Sequence, residues 1–219
     1  MEKYLILICL IFSTLFAVGQ KYSCNCPSHT ITHIGKPDKI FQFSNGKTVA
    51  LCGYSEIQNN QKVFSEFVIY PCGQFKFIAK WDATQTCTIE QKNDTLIVQE
   101  FYFIANGKDM SLKWTKFYKT KYYWKSLKLV DTSFYLKSLR KYSPIEIKKA
   151  LLQFENLKKV YNSENTLLVG HRLFWAYVSG SKKAGQYLEK LNENFGPFDG
   201  ATAEDYDHLI ATYKHYKTE

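Results

Sequence analysis

From about residue 40 to residue 130 the apolar positions alternate or run in short β-branched and aromatic blocks. After Ser143 they recur at helical spacing. Ile40–Ser44 and Lys47–Leu51 flank Asn45-Gly46, which predicts a hairpin closed by a two-residue turn with both central residues at positive φ. That register sets Phe41 opposite Ala50 and Phe43 opposite Thr48. Val63–Tyr70 reads as a strand ended by Pro71-Cys72-Gly73. Phe75–Trp81 alternates, with Phe75, Phe77 and Ala79 against Lys76 and Lys80. Thr86–Glu90 is a shorter strand, Lys92-Asn93-Asp94 a turn, and Leu96–Ala105 a long apolar strand of the kind that lies centrally with both faces covered. A second Asn-Gly pair, Asn106-Gly107, predicts another tight hairpin, with Phe103 opposite Met110, Phe101 opposite Leu112 and Glu100 opposite Lys113. Met110, Leu112 and Trp114 then share a buried face, with Lys113 and Thr115 turned the other way. A further strand is expected over Tyr122–Val130.

Ser143-Pro144-Ile145-Glu146 is a helix start: a capping hydroxyl, proline in the first turn, and glutamate three residues after the serine. Ile147, Ala150, Leu151, Phe154 and Leu157 continue that helix. A second is expected over Thr166–Val178. A third carries Ala184, Tyr187, Leu188, Leu191 and Phe195 and stops at Gly196-Pro197, and a fourth starts at Thr202. The expected fold is α+β, an antiparallel sheet or sandwich followed by a C-terminal four-helix segment. The boundaries are a signal peptide over 1–19, a disulfide-bearing β domain over 20–140 and helical hairpins over 141–219.

The signal peptide is expected from Lys3, the apolar run Tyr4–Phe16 and the small residues Ala17 and Gly19. The run is shorter than the roughly 20 residues of a membrane span, so no transmembrane segment is expected after cleavage, and the mature chain is expected in the periplasm or outside the cell. Export makes disulfides the default use of Cys24, Cys26, Cys52, Cys72 and Cys87, with one of the five left over. Cys24 and Cys26 are too close to bridge each other easily, and spacing does not choose their partners.

Charge is concentrated in one stretch. Lys108–Tyr142 holds ten basic residues against Asp109 and Asp131, so it carries +8 of the chain's +9, together with nine aromatic residues. Lysine supplies 27 of the 29 basic side chains. That favours general attraction to acidic surfaces over the planar clamps that arginine makes for phosphate. The segment where strand alternation breaks down, Lys116–Lys125, is the candidate partner-binding site: Lys116, Lys119, Lys121, Tyr122, Tyr123, Trp124 and Lys125. The partner expected is an acidic protein, or else an acidic glycan or lipid surface, and not nucleic acid.

Other constellations resolve to simpler readings. Cys24, Cys26, His29 and His33 resemble zinc ligands in type, but export favours disulfides. His171, His208 and His215 lack a nucleophile-elbow serine, so packing or surface roles are favoured. Glu204, Asp205 and Asp207 read as first-turn acids of the last helix. Asn45-Gly46-Lys47-Thr48 lacks the first glycine and the helix of a phosphate loop, and Asn93-Asp94-Thr95 marks a surface turn. No cofactor, metal or catalytic residue is assigned. The expected function is a non-enzymatic exported binding protein, with an immunity-like protein that neutralises a partner as its specific version; a glycan- or lipid-binding envelope protein and a hydrolase around His171 or His208 are the alternatives.

Overall fold

The computed structural model describes residues 24–26, 35–58, 60–74, 76–81, 86–126, 128–157 and 164–218. The expected signal over 1–19, most of the expected arm over 20–38, His29, His33 and Phe75 lie outside the described residues. Eight strands form an antiparallel sheet: β1 Lys39–Gln42, β2 Thr48–Gln58, β3 Gln61–Pro71, β4 Ala79–Trp81, β5 Thr86–Lys92, β6 Thr95–Ile104, β7 Lys113–Lys125 and β8 Lys128–Tyr135. Their order is β1-β2-β3-β5-β6-β7-β8, with β4 paired to β3. Five helices follow: α1 Pro144–Glu155, α2 Glu164–Val178, α3 Lys182–Glu189, α4 Leu191–Phe195 and α5 Gly200–Thr218. This is the α+β architecture that the change of period predicts; the third expected helix is divided at Lys190 into α3 and α4. Among the described residues no helix is long and apolar enough to cross a membrane.

Two expected hairpins and one expected strand are corrected. In the first hairpin only Gly46 of the Asn-Gly pair takes a positive φ, +77°. The Phe43 amide donates to Lys47 O at 2.9 Å and the Gly46 amide to Phe43 O at 3.0 Å. The loop therefore has three residues ending in left-handed glycine, and Phe41 faces Val49 in place of Ala50. The second hairpin is not closed at Asn106-Gly107. Residues 105–112 form a longer loop around a 3-10 turn, Lys108–Met110. Met110 is buried at 1% exposure, its carbonyl accepts from Arg172 Nε at 3.2 Å, and the Tyr142 hydroxyl donates to Ala105 O. Tertiary anchoring thus overrides the turn signal. Ile104 faces Lys113, Phe103 faces Trp114, and Glu100 faces Tyr118 in place of Lys113. Trp114, expected in the core, is 57% exposed. The strand expected over Tyr122–Val130 is two strands meeting at Ser126, whose φ is +56°; Lys125 pairs with Lys128 across the turn.

Two compact units divide the chain: one takes the described residues up to Ser55 and those from Glu66 to Trp81, the other Glu56–Ser65 and everything from Thr86 onward. In the first, Cys26, Ala50, Cys52, Val68 and Tyr70 form a small core. It is stapled by Cys24–Cys72 and Cys26–Cys52, with Cα separations of 4.9 and 5.9 Å. Such cross-links compensate for a core too small to hold its chain alone. Strands β2 and β3 approach so closely that a Cβ at Gly53 would lie 2.4 Å from Glu66 O and from Phe67 Cβ.

The second unit is built on Phe117. A β-bulge in β7 leaves this residue without a partner between Glu100↔Tyr118 and Phe101↔Lys116. Its ring enters an aromatic core with Tyr102, Tyr135, Phe174 and Trp175 at centroid distances of 5.4, 4.7, 5.9 and 5.8 Å. The helices close over this core. α1 starts with the expected capping box: Ser143 Oγ accepts from the Glu146 amide, and Glu146 Oε2 accepts from the Ser143 amide at 2.9 Å. Trp175 on α2 donates its indole N–H to Arg140 O at 3.0 Å, and Lys141 donates to Val178 O at 3.0 Å. Two basic residues of the charged stretch therefore help dock α2.

The fifth cysteine, Cys87, is buried and takes part in neither bridge, and burial pushes its thiol pKa well above the ordinary range. A chain beginning at Gln20 should show no thiol reactive to Ellman's reagent when native and one, Cys87, after denaturation without reductant. A second thiol released on denaturation would contradict the two bridges.

Candidate functional site

The bulge decides where the candidate residues point. Side chains alternate across a strand, so one extra residue reverses the alternation beyond it. Lys116 faces Phe101 and shares its side of the sheet. After the bulge, Tyr118, Thr120, Tyr122 and Trp124 take the opposite side, with Leu96, Val98, Glu100 and Cys87. Most of that side is buried, Tyr122 included, and burial raises the Tyr122 hydroxyl pKa. Lys119, Lys121, Tyr123 and Lys125 return to the Lys116 side. Of the seven candidate residues, five thus share a face, while Tyr122 and Trp124 lie on the covered one.

Across β5–β8 the Lys116 side carries Lys92, Lys116, Lys119, Lys121, Lys125 and Lys128 against one carboxylate, Glu90. All six lysines are exposed or half-exposed. Between them stand Phe101, Tyr123, Val130 and Phe134. Lys116 Nζ lies 5.5 Å from the Phe101 ring centroid and Lys121 Nζ 5.2 Å from that of Phe134, so the stems cover aromatic surface while the heads reach water. Lys125 and Lys128 oppose each other, a like-charge pair that costs stability. The arrangement is a flat basic surface with apolar ground between the charges.

A second site lies against the other end of β6 and β7. Tyr102, Phe103, Trp114, His171, Asp205, His208 and Thr212 are among the residues around a cavity of about 170 Å³. A neighbouring cavity of about 380 Å³ shares Phe103, His171 and Asp205 and adds Glu164 and Asn165. Phe103 and Trp114 face each other across the strand pair, ring centroids 5.3 Å apart, and their exposed surfaces form a wall. The structure therefore brings His171 and His208 together with an acid, although they lie on α2 and α5. The Thr212 hydroxyl donates to His208 O at 2.9 Å, and Tyr102 donates to Glu100 Oε2 at 3.3 Å. His215 goes elsewhere, its ring 3.3 Å from the Tyr118 hydroxyl.

Asp205 stands at this cleft, and α5 begins at Gly200, earlier than the expected Thr202. Glu204, Asp205 and Asp207 fall past the first turn, and the helix-dipole role expected of them gives way to a place at the cleft for Asp205. The metal-like group at the N-terminal arm is also taken apart: Cys24 and Cys26 are both in disulfides. Sequence reasoning named His171 and His208 but missed the aromatic wall. The expected tight turn at Asn106-Gly107 had assigned Trp114 to the core. Comparison with protein-family models, curated proteins and solved structures finds no match to this chain.

Burial, with a smaller contribution from the nearby His208, lowers the pKa of His171 from the ordinary 6.5 to about 4. Burial lowers His208 as well, opposed by Asp205. Both rings are therefore neutral at pH 7. A folded-state pKa below the unfolded value contributes stability above the unfolded pKa that is lost as pH falls toward the folded one. Wild type should thus lose roughly 2 kcal/mol more than His171→Gln between about pH 7 and about pH 4, read from urea midpoints. Parallel pH profiles for the two proteins would contradict a buried neutral His171.

Proposed function

We propose that this chain is an exported, non-enzymatic binding protein that presents the lysine face of β5–β8 to the acidic surface of a partner protein, in the manner of an immunity protein that neutralises its target. One observation carries the reading: the bulge at Phe117 gathers six lysines on one face with a single carboxylate among them. Lysines are not needed there for the fold, since the ladder is made by backbone groups and the opposite face supplies the core. Their spacing attracts carboxylates and speeds encounter. Phe101, Tyr123, Val130 and Phe134 offer the apolar patches that a protein interface covers. A preponderance of lysine suits carboxylates, which need no planar fork. The two disulfides support an oxidising compartment and hence export to the periplasm or beyond.

An acidic glycan or lipid headgroup is the alternative for the same face. Carbodiimide, which joins lysine amines directly to carboxylates in contact, should be applied to cells producing the protein. The expected adducts link Lys116, Lys119 or Lys121 to aspartate or glutamate of one protein. The variant carrying Lys116→Glu, Lys119→Glu and Lys121→Glu should lower adduct yield about tenfold or more, as loss of several ion pairs predicts. Adducts spread evenly over lysines elsewhere, such as Lys39, Lys148 and Lys214, would remove the face from the account. Retention on heparin or on phosphatidylglycerol vesicles, with no protein adduct, would reassign it to a glycan or a membrane surface.

A further inference from the structure

The cleft beside His171 has the opposite character to the lysine face. The chain carries a net charge of +9, yet among the described residues no lysine or arginine lies around either cavity. Arg172, next to His171 in sequence, is turned to Met110 O and Gln153 Oε1. Asp205 and Glu164 are exposed, and among the described residues neither is held in an ion pair or a hydrogen bond. Three aromatic rings, Tyr102, Phe103 and Trp114, complete the walls. Two of them are left unusually open for their size, Phe103 at 42% and Trp114 at 57% exposure.

His171 adds a second observation. Among the described residues its Nδ1 is buried without a hydrogen-bond partner, a state that a finished core rarely tolerates. A fold that needed this ring only for packing would gain from a plain apolar residue there. Imidazole, carboxylates and aromatic faces converge instead on an open space large enough for a small molecule.

We propose that this cleft binds a small organic cation, a protonated amine or a quaternary ammonium, against the faces of Trp114, Phe103 and Tyr102, with Asp205 and Glu164 balancing its charge. The ring quadrupoles attract a cation most strongly where water is partly excluded. The carboxylates supply the counter-charge, and the neutral histidines add hydrogen-bonding atoms without repelling the ligand. An anion would meet two carboxylates. A neutral ring compound would use the aromatic wall but leave those carboxylates unmatched.

Isothermal titration of the full chain with choline, with its uncharged isostere 3,3-dimethylbutan-1-ol and with methyl glucoside tests this assignment. Choline should bind about tenfold or more tightly than either neutral compound. Asp205→Asn and Trp114→Leu should each weaken choline about tenfold, with circular dichroism confirming that both variants fold. Asp207→Asn, on the same helix but outside the cleft lining, should leave binding unchanged. Choline bound no better than its isostere, a preference for the glucoside, or indifference to Asp205→Asn would each overturn the proposal. So would the absence of heat with all three compounds.

Discussion

One extra residue in β7 governs the surface chemistry of the second unit. A strand pair of unbroken register through Lys116↔Phe101 would carry Lys119, Lys121 and Lys125 to the covered side and turn Thr120, Tyr122 and Trp124 outward. Burying even one unpaired ammonium costs several kcal/mol, so that arrangement is not available to this sequence. The bulge at Phe117 removes the conflict: Phe117 and Tyr118 both serve the helix side, and every lysine from Lys116 to Lys125 reaches the other. Phe117, 1% exposed, is held in place by the ring contacts that bind α2 and α5 to the sheet. Core packing and surface charge thus depend on the same residue.

Much of the architecture is legible along the chain because its signals are local. The capping box at Ser143, the helical stripe through Phe154 and the turn at Asn93 all act within a few residues, and all stand where the pattern puts them. The errors arise where a distant group decides. Asn106-Gly107 is a sound hairpin signal, but Tyr142 and Arg172, remote in sequence, hold the loop in another shape. Ser126 closes a hairpin without glycine, proline or asparagine to mark it. The bulge itself left a readable trace as a loss of alternation between Lys116 and Lys125. Locating it needed the partner strand, since only pairing shows which residue is extra.

The candidate sites divide in the same way. The basic stretch could be found by counting charges, while its sorting onto one face required register. His171, His208 and Asp205 were individually conspicuous, but nothing in their spacing says that α2 and α5 bring them to a common cleft. The result is a protein with two surfaces of opposite character: an open lysine face between patches of apolar ground, and a small acidic, aromatic recess with no lysine or arginine in its lining among the described residues.

The register of β6 on β7 is the point on which the account turns, and cross-strand nuclear Overhauser effects measure it directly. The account predicts contacts pairing Glu100 with Tyr118 and Phe101 with Lys116, Phe117 without a partner on β6, and Lys119 beside Phe134. An uninterrupted ladder pairing Glu100 with Phe117 and Gln99 with Tyr118 would contradict it, because the lysines would then no longer share one face.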